Sequence, residues 1–209
     1  MPSSGCTITE SLFFRRSWVV ARSSLRLAEC VAGILALAVV NGAGQARPAR
    51  PIDLAGRPVN PLVATGLKAT VLIFTRTDCP VSNRYAPEIE RIYAEFQPQH
   101  VAFWLIFLDP RESPEAIRRH VSECGYGLGV LRDPGHALVK LTGARVTPEV
   151  AVFIPRGSQA RMVYRGRIDD KYVDFDELER VLKAVVEGKP VKASTTRAVG
   201  CFISDLESR

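Results

Sequence analysis

The stretch Val71–Phe96, VLIFTRTDCPVSNRYAPEIERIYAEF, carries two kinds of periodicity on either side of one cysteine. Upstream, ATVLIFT at residues 69–75 is a continuous β-branched and aromatic run, the pattern of a strand buried on both faces of a parallel sheet. Downstream, Ile89, Ile92, Tyr93 and Phe96 recur at three-and-four spacing and predict an amphipathic helix over 87–96. Cys79 falls at the junction, with Pro80 placed as a first helical residue. A cysteine there faces unpaired N–H groups and the positive end of a helix, both of which favour thiolate over thiol. Asp78 opposes that effect, and Arg76 and Arg84 are near enough in sequence to offset it.

The same alternation continues outward. VAFWLIFL at 101–108 reads as a second buried strand, followed by a helix with Ser113 as N-cap and Pro114 in its first turn, ending near Gly125. Strand, helix, strand, helix makes a βαβ unit with a parallel pair. A turn at Asp133-Pro134-Gly135 leads into a short helical piece over 136–142. Two runs, 150–154 and 161–168, flank the turn 155–158 and predict an antiparallel hairpin. A last helix is expected over 174–187, stopped by Gly188 and Pro190. The expected fold is α/β: a central mixed sheet of four to five strands flanked by helices, preceded by a Pro- and Gly-rich lead-in with a small hairpin near 52–54.

Of the 209 residues, 46% are apolar and 24% charged, which excludes collagen-like, low-complexity and wholly disordered classes. The first 46 residues read as an export signal. Arg15, Arg16, Arg22 and Arg26 precede the apolar run Val31–Val40, which is too short to span a bilayer, and Gly44 and Ala46 form a small-residue exit. An uncleaved anchor is the open alternative. Removing four of the 28 Lys and Arg and two of the 22 Asp and Glu leaves 163 residues at net +4, with a domain over 47–190 and a tail over 191–209. That charge is dispersed, so nucleic acid is not expected as a partner. Cys79, Cys124 and Cys201 remain, enough for one disulfide and one thiol in an exported, periplasmic or secreted chain. After signal removal, no stable membrane span is expected.

The 71–96 stretch resembles the active-site strand and helix of the redoxin branch of the thioredoxin-like superfamily, the alkyl hydroperoxide reductase and thiol-specific antioxidant (AhpC/TSA) group. It also resembles the copper-related Sco proteins. Val146–Val150, VTPEV, is similar to the loop whose cis-proline packs against the reactive cysteine, and Tyr164–Asp169, YRGRID, to the hairpin strand after it. The resemblance implies a thioredoxin-like fold, Cys79 as redox nucleophile, and Thr147 and Pro148 aligning the incoming group, with no cofactor. The departures are specific. Position i+3 from Cys79 is Ser82, so no local CxxC exists, and position i+4 is Asn83, which removes a Sco copper ligand. Arg76 stands where peroxiredoxins have Thr, although Thr75 and Thr77 flank it. Arg145, three residues before Pro148, is a candidate cation near the sulfur.

A reacted Cys79 needs a second thiol, from a partner or from this chain. Cys201, in a GlyCys tail similar to those of exported redoxins, is the internal candidate, and Cys124 is expected to be a half-buried helix residue before a glycine cap. His136 would complete a metal site with Cys79 and Cys201 under the copper-binding alternative. Asp169, Asp170 and Asp174 read as a solvated turn and helix start. The expected activity is thiol-disulfide exchange or peroxide reduction, with an external dithiol or a disulfide-bearing protein as partner.

Overall fold

The computed structural model describes residues 50–63, 65–169 and 177–203. The export-signal reading therefore lies outside the described residues, as do Asp170, Asp174 and the expected start of the last helix.

The first strand, β1 (Ala69–Thr75), lies inside a six-stranded sheet and is buried at all seven positions. Its side chains divide by parity. Ala69, Val71 and Ile73 join one core with Ile89, Ile92 and Phe96, while Leu72 and Phe74 join a second with Leu131, Leu138 and Ile203. Covering both faces is what a continuous apolar run requires. Next come α1 (Pro80–Arg84) and α2 (Ala86–Phe96), a short 3₁₀ turn, and β2 (Val101–Phe107), which pairs parallel with β1 from Ala69↔Val101 to Thr75↔Phe107. The expected single helix is thus divided at Tyr85, and α2 supplies the buried face.

Helix α3 (Pro114–Glu123) starts where its N-cap predicts, with Ser113 Oγ accepting from the Ala116 N–H at 3.2 Å. The strand β3 (Gly129–Arg132) then pairs parallel with β2 at one sheet edge. Helix α4 (Ala137–Thr142) and the two-residue β4 (Val146–Thr147) lead into the hairpin β5 (Glu149–Arg156) and β6 (Gln159–Gly166). Strand β5 runs antiparallel to both β1 and β6, so the sheet is mixed as expected. Helix α5 (Glu177–Val186) packs Leu178, Val181 and Leu182 into the first core.

The sheet order is β3-β2-β1-β5-β6-β7, where β7 is Ser194–Thr195 on the far edge. Four or five strands are expected from periodicity; the count rises to six because β3 and β7 are too short to show a pattern of their own. A separate pair is made by β4 with β8 (Cys201–Phe202). The lead-in forms the small hairpin expected, with Ile52 bridged to Pro58 and also to Arg132.

Asp133 anchors the return from β3 to α4. Fully buried, its carboxylate accepts from the amides of Ala137 at 2.8 Å, Leu138 at 2.7 Å and Val139 at 3.3 Å. These are donors that a helix start leaves unpaired. Asp133→Ala should therefore destabilise the protein by about 2 kcal/mol, read as a lower urea midpoint at unchanged slope.

Candidate active site

Strand β1 ends at Thr75, and four residues later Cys79 occupies the N-cap of α1 in extended conformation. Its Sγ accepts from the Ser82 N–H at 3.4 Å, and Pro80 takes the first helical position, where a missing N–H costs nothing. Because α1 has five residues, the sulfur is served by one first-turn amide and not by the length of a longer helix.

Three further groups meet this sulfur. Cys79 Sγ donates to the Thr147 carbonyl at 3.1 Å and lies 2.7 Å from Cys201 Sγ. The Thr147-Pro148 peptide is cis. Thus the strand-helix junction, the cis-proline loop and the tail, far apart in sequence, converge on one point. Cys79 is 1% exposed, whereas Cys201 is half-buried.

The tail reaches this position by backbone pairing at both ends. Upstream, β7 pairs with β6, and Thr196 Oγ1 lies 2.7 Å from Tyr164 Oη and accepts from the Arg167 N–H at 3.2 Å. Downstream, β8 pairs antiparallel with β4, setting Cys201 opposite Thr147, and Ile203 N–H donates to the Arg145 carbonyl at 3.0 Å. Ile203 itself is 5% exposed within the second core. Gly200 permits the approach. A Cβ there would sit 2.0 Å from the Thr147 oxygen.

Burial pushes the Cys79 thiol up, but the Cys201 thiol, the side chains of Ser82 and Thr147 and the Ser82 amide together outweigh it and hold Cys79 down to about 7. Cys201 moves the opposite way, raised by its hydrogen bond with Cys79, then by burial and the Cys79 charge. The two sulfurs form a coupled pair whose first proton leaves from Cys79.

Charge around the junction is held by a bracket that local motifs do not reveal. Arg76 binds Asp78 through two hydrogen bonds of 3.0 and 3.1 Å and reaches Asp109 at 3.1 Å. Asp109 is held down to about 2, chiefly by Arg111. Glu112 accepts from both the N–H and Oγ1 of Thr77, at 2.7 and 2.6 Å. Asp109 and Glu112 follow β2 at the same end as Cys79 follows β1, so the parallel register brings them together. A signal was present: polar residues after adjacent parallel strands share one end of the sheet.

Other candidates fall into place around this centre. Thr75 is buried with its hydroxyl unpartnered, and Thr77 is engaged by Glu112. Arg145 is exposed and lines a cleft beneath the tail, so the sulfur's immediate neighbours are neutral groups. Cys124 is a half-buried C-cap before Gly125, its thiol raised by burial. Among the described residues no three His, Cys, Asp or Glu form a metal-ligating group. The copper reading is therefore unsupported, since His136 is buried at the start of α4 and does not join Cys79 and Cys201. Asp169, expected to be a solvated turn residue, accepts from Tyr85 Oη at 2.6 Å.

The AhpC/TSA family matches residues 50–164, more than half of the chain and the whole strand-helix junction. The chain belongs to the AhpC/TSA family. It is 25% identical over 126 residues to the thiol-disulfide oxidoreductase ResA of Halalkalibacterium halodurans, covering 60% of this chain and 70% of that one. Among solved structures, an uncharacterized conserved protein from Geobacillus kaustophilus is similar at 26% identity and TM-score 0.62, over 78% of this chain and 93% of that one. A thioredoxin-like protein from Aeropyrum pernix shares the fold at 16% identity and TM-score 0.50, over 68% and 89% of the two chains. The chain is thus a redoxin-type, thiol-based oxidoreductase with a thioredoxin-like fold.

The coupled pair sets a measurable titration. Ultraviolet thiolate absorbance, taken as the difference from Cys79→Ser, should rise with pH through a midpoint of about 7. In Cys201→Ala, loss of the neighbouring thiol donor should move that midpoint to higher pH. A midpoint unchanged by this substitution would contradict the assignment.

Proposed function

We propose that this protein is an exported thiol-disulfide oxidoreductase in which Cys79 and Cys201 alternate between dithiol and disulfide. The observation that carries the reading is the 2.7 Å approach of two sulfurs 122 residues apart, one at a helix N-cap and the other on a strand docked against the cis-proline loop. In the oxidising direction for this chain, the Cys79 thiolate attacks a sulfur of a client disulfide, forming a mixed disulfide and releasing one client thiolate. Cys201, as its thiolate, then attacks Cys79 Sγ; the Cys79–Cys201 bond forms and the second client thiolate leaves. The client is reduced by two electrons and the Cys pair is oxidised.

Exchange is favoured over peroxide reduction by the commitment of Thr77, whose hydroxyl and N–H both donate to Glu112 and so are not offered to a peroxide beside the sulfur. The relative named for thiol-disulfide chemistry supports the same choice. Export rests on the sequence pattern of residues 1–46, with the signal followed by a domain in which no described helix is long and apolar enough to cross a membrane. An exported location also suits a disulfide-forming pair.

Peptide mapping after oxidation by a small disulfide should recover Cys79 linked to Cys201. Cys79→Ser should abolish exchange, and Cys201→Ser should trap the small thiol as a mixed disulfide on Cys79. Finding Cys79 bridged to Cys124, or only as a free thiol, would overturn the pairing. In stopped flow, hydrogen peroxide should oxidise Cys79 no faster than free cysteine. Gly200→Ala tests the docking itself: its misplaced Cβ should weaken formation of the internal disulfide by about tenfold in a glutathione redox titration, equivalent to ~1.4 kcal/mol.

A further inference from the structure

Cys201 sits between two unusually exposed neighbours. Val199 is 77% exposed and Phe202 80%, two of the four large apolar side chains exposed among the described residues. Both line, with Gly200, a cleft of about 800 Å³ between the tail and the body of the domain. Exposed apolar residues gathered at one spot are a mark of an interaction site.

The same cleft holds Arg145, Arg165 and Arg197, with Glu149 as their acidic companion. Glu149 is already engaged: its carboxylate accepts from the Arg145 amide at 2.8 Å and lies 3.4 Å from Arg165 Nε. Arg165 also donates to the carbonyls of Thr142 and Gly143. Arg145 and Arg197, by contrast, make no ion pair among the described residues. Exposed Asp78, whose charge acts on Cys201, is bound by Arg76. The unpaired charge in the cleft itself is cationic. Charges so placed act over roughly a Debye length, about 8 Å at physiological salt.

Access points the same way. In the dithiol form Cys79 is 1% exposed and Cys201 half-buried, so Cys201 is the more accessible of the two sulfurs. We propose that the tail face formed by Val199, Phe202, Arg145 and Arg197 docks the redox partner, a polypeptide whose dithiol is flanked by acidic and apolar residues, and presents Cys201 to it. This rests on the Cys79–Cys201 cycle above and names the partner's chemistry. A partner thiolate attacks Cys201 Sγ; the partner–Cys201 bond forms, the Cys79–Cys201 bond breaks, and the electron pair leaves on Cys79 as thiolate. The partner's second thiol loses its proton to solvent and attacks the partner sulfur of the mixed disulfide, closing the partner's own disulfide and releasing Cys201 thiolate, which takes up a proton. Two electrons pass from partner to protein.

The test uses the oxidised protein and two synthetic dithiol peptides that share a CxxC core and flanking leucines, one with glutamates and the other with lysines. Rates of disulfide reduction are read by quenched-flow alkylation. The glutamate peptide should react faster by on the order of tenfold at low ionic strength, with the advantage shrinking in high salt. In the Arg145→Gln/Arg197→Gln double variant the ratio of the two rates should fall towards one, and Phe202→Ser should slow both peptides. Equal rates for the two peptides in the native protein, or a preference that survives the double variant, would overturn the proposal. Failure of dithiothreitol to open a Cys79–Cys201 disulfide would instead overturn the cycle on which it rests.

Discussion

Burial of β1 on both faces is the constraint from which the position of the site follows. A strand whose seven side chains are all enclosed needs helices and loops on each side of the sheet, and it can end only where the chain regains a boundary of the core. That boundary is the loop Arg76–Asp78, and the first residue able to turn the chain back over the sheet is Cys79 at the head of α1. The cysteine is therefore held by a fully packed strand behind it. In front, the hairpin strand β5, antiparallel to β1, brings the Thr147-Pro148 loop to the same end.

Onto this rigid corner the structure adds a light and local device. The tail is attached by two-residue strands, with Thr196 lodged against Tyr164 and Gly166, and Gly200 against Thr147. Short edge pairings contribute little by themselves, but burial of Ile203 in the second core adds an apolar anchor beyond Cys201. The two sulfurs so lie between a fully packed element and a short one. Their acidities diverge for the same reason: one thiol donates to the other, stabilising the Cys79 thiolate and disfavouring a second charge beside it.

Much of the fold was legible because it is written in local periodicity. The run 69–75, the three-and-four spacing from Ile89 to Phe96 and the Ser113 cap each act within a few residues, and each element stands where its pattern places it. The elements missed lack such patterns. Strand β3 has four residues, while β7 and β8 have two each and owe their conformation to backbone partners elsewhere. The break at Tyr85 coincides with its hydrogen bond to Asp169, a contact 84 residues away in the chain. The bracket of Arg76, Asp78, Asp109, Arg111 and Glu112 depends on the parallel register of β1 and β2 as much as on its residue types.

The sequence by itself determined that Cys79 stands between a buried strand and a helix, because the residues responsible are its own near neighbours. It also determined that no CxxC partner exists, since Ser82 occupies that place. Which distant residue meets the sulfur was decided only by the tertiary structure. Cys124 and Cys201 are both compatible with a partner role in one dimension, but Cys124 caps α3 while Cys201 rides β8 onto the cis-proline loop. A contact across 122 residues depends on the packing of everything between them, and here on a glycine small enough for two backbones to touch.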